Sequence, residues 1–255
     1  MRNTWTICRK ELGSYFVSPI AYLLLTMFAL IFGFFFWNAL SFFVIEGMEM
    51  QLRGEAIPMN LNEDIIRPLL MNVGVIFLFF IPLITMRLFA EEKRSGTIEL
   101  LATSPVRDIE IILGKWLAAL ILYACLLGFT ALNFTFLFLY GKPDWKPLAV
   151  GYLGLLLQGG LFLAIGAFIS TLTKNQIIAG AVTFAVLILL WVLEWVSGYE
   201  SATWATVCSY ISVITHFESF GRGVIALKDV VFYLTGIFLG LFATARSLES
   251  LRWRS

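Results

Sequence analysis

RLFAEEKRSGTIELLATSPVRDIEIILGK, Arg87 to Lys115, is the stretch on which the fold turns. It gathers Arg87, Glu91, Glu92, Lys93, Arg94, Glu99, Arg107, Asp108, Glu110 and Lys115 between two long apolar segments, a density of charge that cannot lie in hydrocarbon. The stretch therefore sits in water, facing solvent or a partner, and its flanks read as membrane spans. Within it, Gly96 and Pro105 bracket a short helical piece on which Ile98, Leu101 and Ala102 share one face at i, i+3, i+4 spacing. Ser104-Pro105 then reads as an N-cap with proline at N1, and Asp108 falls in the first turn, where the helix dipole favours an anion. A new helix is expected to start there and run into the next span.

The rest of the chain agrees with that reading. Of 255 residues, 60% are hydrophobic and 16% aromatic, well beyond the roughly 45–50% apolar share of soluble domains. The fold class expected is all-α, a polytopic membrane protein in one transmembrane domain over 1–255, with six helical spans near 20–45, 69–89, 112–140, 148–172, 177–197 and 229–245. The first apolar block begins near Pro19 and is longer than a cleavable core of about 7–15 residues, so it is expected to remain as the first span. A net charge of +1, with charges clustered between apolar blocks, argues against nucleic acid as a partner. With the N-terminus inside, twelve Lys and Arg fall on its side of the membrane and six on the other. Both termini and the Arg87–Lys115 stretch are thus expected to be cytoplasmic, with the chain multi-pass in the cell membrane.

Residues 1–18 place Trp5, Cys8, Leu12, Tyr15 and Phe16 on one helical face, which reads as an interfacial helix. The first span carries Phe32, Phe34, Phe35, Phe36, Trp37, Phe42 and Phe43 around a single strongly polar side chain, Asn38; lipid-facing bulk explains them, and a greasy wall for a lipid-like substrate is the alternative. Glu46 to Pro68 reads as an outer connector with five acids, lacking the Gly-centred acidic spacing of a calcium loop. The second span holds Asn72 and a kink expected at Pro82. The third holds Asn133, and Lys115-Trp116 reads as a snorkel and interfacial anchor at its inner end.

The fourth span is rich in glycine and alanine, which permit close backbone approach, and buries Gln158 as either packing glue or a substrate contact. Glu194, between Trp191 and Trp195 near the outer end of the fifth span, is an interfacial acid or a gate. The possible translocation set is then Asn38, Asn72, Asn133, Gln158 and Glu194. Gly236 and Gly240 form a GxxxG that serves either packing within the bundle or a dimer seam.

Several chemistries find no support. Gly114-Lys115 has Ile109 where a phosphate-binding loop needs its first glycine and Trp116 where it needs Ser or Thr. His216 is the single histidine, and neither HExxH nor a cysteine pair at ligand spacing exists, so no metal site is expected. No nucleophile with a nearby base is apparent. Catalytic residues and cofactors of the chain's own are not expected.

Glu91-Glu92-Lys93, Gly96-Thr97, Glu99-Leu100-Leu101, Ser104-Pro105-Val106 and Gly114-Lys115 together resemble the cytoplasmic loop of ABC-2 type transporter permeases, most closely the branch that includes the gliding-motility permease. A second resemblance runs from His216-Phe217-Glu218 through Gly221-Arg222-Gly223 to Asp229-Val230-Val231, before the last span. The resemblance implies that residues 90–108 form the coupling loop, with Glu91, Glu92, Lys93, Arg94, Gly96, Thr97, Ile98, Glu99, Leu100, Leu101, Ala102 and Pro105 docking an ABC ATPase subunit that binds ATP and Mg. It also implies a second permease copy, surrounding membrane lipid, a re-entrant outer segment over 198–228 containing His216, Phe217, Phe220 and Arg222, and contact of the N-terminal helix with the ATPase as an option. Two functions follow: export of an unidentified substrate, hydrophobic cargo being one option, or relay of ATPase motion to an extracytoplasmic partner without transport.

Overall fold

The structure, a computed structural model, describes residues 2–54, 60–97, 106–197, 207 and 209–252. Among them the regular structure is all helical: α1 (Arg2–Val17), α2 (Pro19–Arg53), a π-helical turn (Asn62–Ile66) leading into α3 (Arg67–Thr85), α4 (Ala90–Ser95), α5 (Asp108–Tyr140), α6 (Trp145–Leu172), α7 (Gln176–Ser197), α8 (Val213–Gly221) and α9 (Leu227–Arg252). Six of these stretches are long and apolar enough to cross a membrane, which makes this a multi-pass membrane protein. They alternate in direction, so α1, α4, the α6–α7 turn and the end of α9 gather at one end of the bundle.

The spans form two shells. The apolar windows of α3, α5 and α6 are more than half buried, whereas in those of α2, α7 and α9 fewer than a third of the residues are buried. α6 lies at the centre because it lacks side-chain bulk. A Cβ at Gly151 would run into Leu70 of α3, at Gly154 into Phe220 of α8, at Gly159 into Tyr123 of α5 and at Gly166 into Thr85. The GxxxG of α9 faces the same helix, Gly236 against Leu161 and Gly240 against Ala164. That motif is therefore spent on packing inside the bundle. Tyr123 hydroxyl donates to the Leu155 carbonyl at 2.7 Å, so its buried polar end is satisfied by α6 as well.

Several local expectations change. α2 runs to Arg53, well past the expected end of the first span, because Glu49 and Arg53 pair at i, i+4 and Gly54, at φ +71°, supplies the left-handed cap. Much of the anticipated outer connector is thus helix. The aromatics of α2 do not all face lipid: Phe28, Phe32 and Phe36 turn inward against Phe77, Phe80 and Phe134, while Phe34, Trp37 and Phe42 face out. Helix α3 continues past Pro82 to Thr85, where the Thr85 hydroxyl donates to the Ile81 carbonyl. Described helix α5 starts at Asp108, with Glu110 accepting from the Arg107 N–H at 3.3 Å. Ser104-Pro105 and the piece bearing Ile98, Glu99, Leu100, Leu101 and Ala102 lie outside the described residues, as does 198–206.

Candidate functional site

The amphipathic α1 meets α5 at Ile7 and Glu11, Tyr15 reaches the Ile84 carbonyl of α3, and Gly114 is what lets the α1 and α5 backbones close. A Cβ there would meet Ile7 and the Thr4 carbonyl oxygen at 2.9 Å. Trp5 stays largely exposed and Phe16 about a third exposed. Asn3 Nδ2 donates to Glu110 at 3.1 Å, fixing the first turn of α5 to the first turn of α1.

One residue beyond Gly114, Lys115 is only 3% exposed. It does not snorkel: its Nζ lies 2.9 Å from Glu11 Oε1 and 2.8 Å from Glu92 Oε1, above the Phe89 ring. An ammonium withdrawn this far from water is tolerable only with such partners. The direction of the side chain is set by α1 and α4, whose carboxylates replace the water that a lipid-interface lysine would reach. Trp116 likewise is no interfacial anchor, since its indole N–H donates to the Gly160 carbonyl at 3.1 Å and staples α5 to α6. Sequence reasoning missed Glu11 altogether; only the Gly114 crossing brings it within reach.

α4 is held from its other side as well. The Ser170 hydroxyl of α6 accepts from the Phe89 and Ala90 N–H groups, both at 3.1 Å, and Lys93 Nζ donates to the Thr171 carbonyl. Arg87 forks onto Glu91 at 3.0 and 3.2 Å. Gly96, at φ +75°, ends the helix in the left-handed conformation that glycine adopts without strain. Thr97 shares a 2.8 Å hydrogen bond with Ser95, and Arg94 is exposed.

These groups surround a polar cavity of about 500 Å³. Its described charged walls are Lys10, Arg87 and Lys115 against Glu11, Glu91 and Glu92, so the charges balance and neither sign of ion is selected. Burial pushes the Tyr15 phenol well above its ordinary value, and the Glu11 carboxylate adds to this; burial also pushes up the Cys8 thiol. Neither is poised as a nucleophile. What the arrangement can do is mechanical: α4 is tied at once to α1, α5 and α6.

The five polar residues singled out for translocation divide. Asn38 Nδ2 donates to the Phe34 carbonyl at 2.8 Å and Asn133 Nδ2 to the Phe129 carbonyl at 3.1 Å, each within its own helix. Asn72, Gln158 and Glu194, from α3, α6 and α7, converge on one cavity of about 450 Å³ toward the other end of the bundle. Nearby, His216 lies buried with its Nδ1 2.7 Å from Asp229 and its Nε2 2.9 Å from the Tyr210 carbonyl, stacked on Phe232. Phe217 and Phe220 are buried, Phe220 against α6, and Arg222 pairs with Glu218. Among the described residues no group of three or more His, Cys, Asp or Glu could hold a metal ion.

Comparison with curated proteins returns no match. Residues 5–220 of this helical, multi-pass chain match the ABC-2 family transporter proteins, so the chain belongs to that family.

Proposed function

We propose that the chain is the membrane subunit through which a separate ABC ATPase drives export of a hydrophobic substrate, docking on the loop over 90–108. Members of this family are non-catalytic membrane components. In this reading ATP and Mg are bound by the partner, two permease copies meet two ATPase subunits, and α4 with both termini faces the cytoplasm of the cell membrane. The twelve-to-six division of Lys and Arg supports that orientation. The pattern from Glu91 to Lys115 supports the gliding-motility branch within the family.

The observation that carries the proposal is the double bracing of α4: Glu92 to Lys115, which also holds Glu11, on one side, and the Ser170 hydroxyl and Thr171 carbonyl of α6 on the other. A push on α4 therefore reaches α1, α5 and α6 through side-chain contacts. Charged groups held in a closed network transmit displacement because separating any one of them from its partner is costly.

Docking is tested by pulling down the detergent-solubilised chain with its ATPase. Leu101→Asp places a carboxylate on the apolar face that the loop offers, and the loss expected at a small buried contact is about 2–4 kcal/mol. The ATPase should no longer co-purify. Recovery at wild-type stoichiometry ends the docking claim.

A second reading, relay of ATPase motion to an extracytoplasmic partner without transport, gains from the withdrawal of Asn38 and Asn133 into bonds with their own helices. That leaves a polar solute few groups along any route. ATPase turnover in nanodiscs separates the two: stimulation by particular lipids favours export, and a response only to an outer partner favours relay.

A further inference from the structure

We propose that the cavity between α3, α6, α7 and α8 is a binding site for an organic ammonium group carried on an apolar body. Its volume, about 450 Å³, is far more than a single water needs and falls within the usual range of small-ligand sites. Trp191 and Trp195, one helical turn apart on α7, bring their rings to 4.9 Å, and Glu194 lies between them in sequence and on the same wall. Gln158 stands across from them, buried, with its Oε1 shut off from solvent and lacking a hydrogen-bond partner. Its amide packs against Gly74 of α3, where a Cβ would meet Oε1 at 3.2 Å, and closes the inner wall of the cavity.

Three features agree on the sign of the ligand. The Glu194 carboxylate and the two indole rings of the wall are all electron-rich, and each favours a cationic donor over an anion. Among the described lining residues Glu194 alone is charged, so no base there opposes a cation. Arg67 of α3 and Arg222 at the end of α8 are both paired with Glu218 of α8. Met71, Val75 and Phe217 supply the apolar part of the wall, which suits an alkyl or acyl body rather than a small hydrated amine. As a station for exported cargo the site rests on the export reading above; as a binding site it is tested with no ATPase present.

The experiment uses the full chain in dodecyl maltoside and a dodecylamine bearing a photoreactive diazirine in its tail, with labelled peptides mapped by mass spectrometry. Saturable labelling is expected on peptides containing Trp191 to Trp195, displaced by dodecylamine and not by tail-matched dodecanol or dodecyl sulfate. Displacement by phosphatidylethanolamine would identify a lipid headgroup as the source of the ammonium; displacement by single-chain amines alone would identify a free amphiphile. Glu194→Gln should weaken the amine by about tenfold. Trp195→Leu, at a largely exposed position where an apolar replacement preserves the fold, should weaken it by a similar factor. Unsaturable labelling, equal displacement by dodecyl sulfate, or unchanged affinity in both variants overturns the proposal. An ATPase pull-down on the same preparation reports separately on the permease reading.

Discussion

At the scale of single residues, the dipeptide Gly114-Lys115 has two separate jobs that its neighbours define. Gly114 removes the side chain that would hold α1 away from α5, and Lys115 then reaches the two carboxylates that the crossing delivers. Gly114→Leu should lift α1 off the bundle at an overpacking penalty of about 1–3 kcal/mol. Cysteine modification reads this directly, because the buried Cys8 thiol should resist maleimide in the native protein and react in the variant. Lys115→Met removes the ammonium that touches both Glu11 and Glu92 and should cost about 3 kcal/mol of stability. Thermal unfolding in detergent measures it. Adding Glu11→Gln and Glu92→Gln to that variant should recover most of the loss, since what is lost is chiefly the penalty of orphaned charge.

At the scale of elements, α4 illustrates how a helix of six residues, too short to be stable by itself, is kept in place. Ser170 does for its first turn what an N-cap side chain does elsewhere, taking up the Phe89 and Ala90 N–H groups from a neighbouring helix. Ser170→Ala should strand both donors and cost about 1–3 kcal/mol locally. Hydrogen exchange at Phe89 and Ala90 should accelerate while the amides in the middle of α5 stay protected; equal protection in the variant would show that α4 is held by Lys115 and Lys93 alone. For α6 the determining property is an absence of bulk. Gly159→Leu drives a side chain into the Tyr123 ring and should destabilise the α5–α6 pair by about 1–3 kcal/mol.

At the scale of the whole molecule, three well-buried helices are wrapped by three whose outer faces remain apolar and exposed. Such faces suit lipid or a second copy equally, and packing in a membrane gains nothing from water exclusion, so shape rather than hydropathy must choose between them. The orientation of the assembly is open to a direct check. In a cysteine-free background, a cysteine at Lys174 should label with an impermeant maleimide only after the inner face is opened, whereas one at Lys142 should label on intact cells. The reverse pattern would invert the proposed topology and place α4 out of reach of any ATPase.

The sequence by itself determined the class of protein and the number of spans, because hydrocarbon excludes charge and each apolar block of about 20 residues has one place to go. It also determined which end of the molecule is polar, through the charges between Arg87 and Lys115, and the glycine richness that makes α6 central. Which charges pair was decided only by the tertiary structure: Glu11 and Lys115 are 104 residues apart and meet because Gly114 permits a close crossing. The same holds for the membrane polar residues. Asn38 and Asn133 look no different in sequence from Asn72 and Gln158, yet the first two turn back on their own helices while the others line a shared cavity. Hydropathy along a chain records what a segment tolerates around it; the rotation of each helix about its axis, which decides what a side chain meets, is fixed by packing against all the others.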